Sequence, residues 1–79
     1  MTYQQAQRAY NANDRALSRN AQDGKAHKVS QCVECIEELL AAITIEEHAS
    51  SETLKQWHEL HTRVYWLLDS AYCELNALQ

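Results

Sequence analysis

Between Leu54 and Leu78 a line of mostly apolar residues returns at alternating steps of three and four: Leu54, Trp57, His61, Val64, Leu68, Ala71, Leu75 and Leu78. A strand repeats every two residues, so this spacing excludes a sheet and predicts one long helix with a heptad seam. Leu60 and Leu67 widen the seam. The helix is predicted over about 51–78, with Ser50 or Ser51 as N-cap and Glu52 complementing the positive helix end.

A second stripe lies upstream. Val29, Cys32, Val33, Ile36, Leu39, Leu40 and Ile43 fall within about 120° of arc at ~100° per residue. This predicts an amphipathic helix over about 25–44, followed by a polar connector over about 45–50. Connections this short favour an antiparallel hairpin of the two helices.

The first segment is thinner. Thr2 is a candidate cap, and Tyr3, Ala6, Tyr10, Asn13 and Leu17 recur at helical spacing. A helix over about 2–21 is expected, with little apolar area to grip the hairpin. It packs on the hairpin or on another chain. The chain has no proline and a single glycine, Gly24, which suits the left-handed position after a helix end. The expected architecture is therefore all-α: three helices in one small domain over residues 1–79, dominated by the hairpin.

At 79 residues such a domain is small. It should fold to about 4,900 Å² of surface, burying roughly 63% of the extended chain. The apolar burial contributes about 125 kcal/mol and ordering the chain costs about 120 kcal/mol. A partner or a second copy would add buried area that the monomer lacks.

Charge and composition narrow the job. Seven Lys and Arg stand against eleven Asp and Glu, a net charge of −4. The only compact basic group is Lys25, His27 and Lys28, so no nucleic-acid partner is expected. No apolar run reaches the ~20 residues of a membrane span, and no membrane role is expected. Met1 to Gln5 lacks a basic region followed by an apolar stretch, which points to the cytoplasm and to reduced thiols. Glycine-rich phosphate loops and nucleophile–base spacings are missing, so an enzyme is not expected.

Two constellations stand out. Cys32-Val33-Glu34-Cys35 followed by His58-Glu59-Leu60-His61 has the spacing of a zinc ligand set, Cys32, Cys35, His58 and His61. In the expected hairpin Cys35 lies level with His61. Both pairs fall inside regular helices, however, and Cys32 and His61 also fit the core stripes. Packing is the preferred reading, with no cofactor expected. Glu34, Glu37, Glu38, Glu46, Glu47 and Glu52 read as a solvated acidic face.

The other constellation is aromatic. Trp66 lies about 200° from the centre of the seam, on a face shared with Lys55, Glu59, Thr62, Asp69, Ser70 and Cys73. The hairpin's own core does not explain it. Either the first helix covers Trp66 or a partner does. His58, Tyr65 and Tyr72 form a line at seven-residue steps beside the seam, a boundary layer or a groove wall. Trp57, Tyr65, Trp66, Leu68 and Tyr72 are the candidate partner contacts.

From Asp23 to about Ala77 the pattern resembles the flagellin export chaperone (FliS) family. The resemblance rests on Gly24-Lys25-Ala26, on Glu38-Leu39-Leu40-Ala41-Ala42-Ile43, and on Leu60-His61-Thr62-Arg63-Val64-Tyr65-Trp66-Leu67-Leu68 leading to Ala71. The chain departs from that family in being shorter, in having no Ser-Pro after Ala9-Tyr10-Asn11, and in a connector without glycine. Small partner proteins of type III secretion look similar at this level. The resemblance implies a small all-α cytoplasmic protein that shields an aggregation-prone helical segment of an export substrate. The expected function is thus a non-enzymatic helical interaction module, with secretion chaperone or co-chaperone as its most specific form. A homodimeric helical-bundle regulator and a small zinc-stabilised domain are the alternatives.

Overall fold

The computed structural model describes residues 1–49 and 53–79, which form three helices and no strand: α1 (Tyr3–Gln22), α2 (Ala26–Ala49) and α3 (Leu54–Leu78). They run up, down and up. α2 and α3 make the broadest contact, and α1 lies along both, more on α2 than on α3. At ~1.5 Å per residue the 25 residues of α3 span about 37 Å, so the 42 × 17 × 15 Å body is one helix long.

The ends of α1 follow from local chemistry. Thr2 accepts a hydrogen bond from the Gln5 backbone N–H, and the Gln5 side chain accepts one from the Thr2 N–H. This reciprocal capping box satisfies two donors that a helix start leaves orphaned. At the other end Gly24 has φ +68°, the left-handed region. Its N–H donates to Ala21 O, and the Lys25 N–H donates to Asn20 O. That pair of bonds is the Schellman closure, and it turns the chain into α2 within three residues.

α2 is longer than its stripe predicts. The connector expected over 45–50 is helical as far as Ala49. The run Ile45-Glu46-Glu47-His48-Ala49 contains no breaker, and each added residue of a formed helix gains one backbone bond. Within the helix Thr44 donates its hydroxyl to Leu40 O at 2.8 Å. The proposed caps Ser50 and Ser51, and Glu52, lie outside the described residues, and α3 begins at Leu54 rather than at 51. The longer α2 also changes the hairpin register. His61 lies level with Thr44 and Glu47, not with Cys35. Cys35 is nine residues from Thr44, roughly 13 Å along the axis.

The core is where the stripes meet. Val29, Ile36 and Ile43 of α2 and Leu60 and Val64 of α3 are its largest fully buried side chains, and α1 adds Ala6 and Leu17. The buried line of α3 is Trp57, Leu60, Val64, Leu67 and Ala71. The seam is therefore rotated slightly from the predicted one: Leu60 and Leu67 are central, while His61, Leu68, Leu75 and Leu78 are half-buried edges and Leu54 is exposed. The reason is α1, which covers the Leu60–Leu67 flank and leaves the other flank open. The surface of 5302 Å² exceeds the ~4,900 Å² of a compact chain of this size, as a thin bundle must.

Candidate interaction face on helix α3

Among the five candidate contacts, Trp57 belongs to the core. It is 4% exposed, and its ring meets Tyr3 of α1 edge to face, with centroids 5.6 Å apart and planes at 87°. Trp57 sits on the inner line of α3 where α1 crosses it, so it anchors α1 and is not available to a partner.

The other four stay together on the outside. Tyr65, Trp66 and Tyr72 are 55%, 60% and 43% exposed, and Leu68 is half-buried beside them. Tyr65 and Trp66 pack edge to face at 5.7 Å. Tyr65, Leu68, Asp69 and Tyr72 line a shallow groove of about 150 Å³. Burial and the hydrogen bond to Glu37 of α2, together with its negative charge, hold the Tyr72 phenol above its ordinary pKa. Partial desolvation is the larger cause, and the carboxylate adds to it by disfavouring a nearby phenolate. Glu37 and Asp69 thus give the aromatic face an acidic rim.

α1 does not cover Trp66. It packs on the opposite flank of α3, where Leu17 and Leu67 line a larger cleft of about 490 Å³. That cleft is walled by small and polar groups, including Asp14, Ser18, Ser70 and Glu74. Aromatic anchors with polar tips are the residues that dominate binding energy, so the open flank is the stronger candidate interface.

The alternative four-ligand zinc set of Cys32, Cys35, His58 and His61 is not assembled. Cys32 is buried and its sulfur lies 3.8 Å from Asn20 Nδ2 of α1, while Cys35 is exposed on another face. The register change described above separates both from the histidine pair. His58 and His61 instead meet Glu47 of α2. Glu47 does not belong to a solvated acidic face: its side chain is 16% exposed, inserted between α2 and α3. Its role is invisible while residues 45–50 are read as a connector. The absence of any helix breaker in that run is the signal that places it on α2.

No family model, curated protein or solved structure matches the chain. Among the described residues no helix is long and apolar enough to cross a membrane.

Proposed function

We propose that this chain is a non-enzymatic interaction module that binds an amphipathic helix of another protein on the open flank of α3. The observation that carries this is the exposure of Trp66 next to Tyr65, Leu68 and Tyr72 on a helix whose other flank is already covered by α1. A partner helix laid along Tyr65, Leu68 and Tyr72 has its apolar stripe in the groove, and Trp66 closes over its edge. The acidic rim of Glu37 and Asp69 selects a helix whose apolar stripe is flanked by Lys or Arg, and the net charge of −4 steers such a partner inward. In the most specific form of this reading the module is a cytoplasmic chaperone or co-chaperone of secretion that shields an export substrate's helix. The resemblance to flagellin export chaperones supports that form.

The test uses wild type, Trp66→Ala and Tyr72→Ala, each shown to be folded by circular dichroism. Affinity capture from the native cell extract is followed by titration of the captured protein's helical segment as a peptide. The reading expects one dominant partner, bound through a basic amphipathic helix and lost with either substitution. Equal capture by all three variants overturns the assignment of the face. Capture of nothing, together with concentration-dependent light scattering, assigns the face to self-association as an isologous dimer.

A further inference from the structure

We infer that Glu47, His58 and His61 form a binding site for a divalent transition-metal ion of the zinc type at the closed end of the α2–α3 hairpin. The three side chains come from two helices and their ligand atoms lie within 4.8 Å of one another. His61 Nδ1 is 3.2 Å from Glu47 Oε2, and His58 Nδ1 is 3.7 Å from Glu47 Oε1. With metal–ligand bonds of ~2.0–2.1 Å, the edges of a tetrahedron are about 3.3 Å, so the His61–Glu47 separation already matches one edge and His58 has to move inward to complete the set. His58 is 69% exposed and free to make that movement.

The hydrogen bonding argues the same way. Thr44 spends its only hydroxyl proton on Leu40 O. Its oxygen, 3.4 Å from His61 Nε2, is then left as an acceptor, which favours the tautomer with the proton on Nε2. In that neutral tautomer Nδ1 keeps a lone pair, and this lone pair faces a carboxylate oxygen. Glu47 Oε2 is fully buried and has no hydrogen-bond partner among the described residues. Two acceptors in contact, one of them buried, are relieved either by a second proton on the ring or by a metal ion between them, and the second imidazole of His58 beside the same carboxylate favours the ion. The arrangement is also that of a metal-bound histidine. One ring nitrogen faces the metal, and the other is oriented by an outer hydrogen bond that sets the tautomer.

Two imidazoles and one carboxylate suit zinc, and three protein ligands leave a coordination position for water or for a group from another molecule. The ion would tie the last turn of α2 to the first turns of α3.

The experiment is a zinc titration against a chromophoric chelator, in a Cys35→Ser/Cys73→Ser background that removes the exposed thiols. Cobalt(II) spectra are recorded on the same protein. The site predicts one equivalent of zinc bound, a zinc-dependent rise in melting temperature, and a tetrahedral cobalt spectrum without a thiolate charge-transfer band. His58→Gln, an exposed position where folding is kept, lowers affinity more than about tenfold, the scale on which even outer-sphere partners of a metal act. Glu47→Gln does the same. Absence of zinc binding overturns the site and leaves a His61–Glu47 ion pair in its place. Binding that survives both substitutions, or a cobalt spectrum carrying a thiolate band, overturns it in favour of other ligands. These readouts do not involve the aromatic face, so either proposal stands or falls without the other.

Discussion

Trp57 and Trp66 are nine residues apart on one helix and meet opposite fates. Nine residues are about 900° of rotation, two and a half turns, so the two rings leave α3 on opposite sides. The region around Trp57 is closed by Tyr3 from α1 and by the α2 stripe, and 4% of the residue is exposed. At Trp66 the ring meets Tyr65, its own chain neighbour, edge to face, and 60% of the residue is exposed. The same side chain is thus a structural anchor at one place and an unused hydrophobic surface at the other. A small bundle has three helices' worth of apolar area and one inside to put it in. What remains outside on α3 is aromatic and contiguous, which is the form an interface takes.

The largest test of this contrast is Trp57→Ala. It removes a fully packed aromatic from a one-layer core and should cost about 3–5 kcal/mol in urea unfolding. That is a large part of the stability of any domain this size. Next in size is Gly24→Ala. No atom lies within 4 Å of the added Cβ, so the cost is backbone strain at φ +68° alone, about 1–2 kcal/mol. Because this turn holds α1 on the hairpin, the same variant should increase acrylamide quenching of Trp57, measured in a Trp66→Phe background. Thr2→Ala removes the capping box and should lower stability by about 1 kcal/mol, with fraying concentrated around Tyr3 in hydrogen exchange. A double-mutant cycle on Tyr3 and Trp57 should give a coupling of about 1 kcal/mol for their edge-to-face contact. The smallest effect on stability is Trp66→Ala, within about 0.5 kcal/mol of wild type in the same urea assay. If Trp66→Ala instead destabilises as much as Trp57→Ala, the contrast fails and Trp66 is part of the core.

Much of this was legible in the residues. The stripe from Val29 to Ile43 is buried at every position except the half-buried Leu40, because a period of 3.6 points those side chains one way whatever they meet. Thr2 and Gly24 act where their chemistry says, since caps and left-handed turns are decided within four or five residues. The site residues were less legible. Trp57 and Trp66 are both tryptophans on an amphipathic helix, and composition does not say which one a third helix will cover. The spacing of Cys32, Cys35, His58 and His61 admits a zinc set as the alternative to packing, and only a hairpin closed at Thr44 brings Cys35 level with His61. The stretch Ile45–Ala49 is polar enough to read as a connector, yet it has the helix-forming residues to continue α2.

The sequence alone determined the helical class, the inward face of α2, and the turn at Gly24, all properties of local geometry and of short-range hydrogen bonding. Tertiary structure alone decided the hairpin register and the flank of α3 that α1 covers. Both depend on how packed helices share a limited interior. A few residues of extra helix on α2 move every cross-helix pair by more than a turn. That shift takes His61 away from Cys35 and sets it against Glu47, and the docking of α1 buries Trp57 while Trp66 stays in solvent.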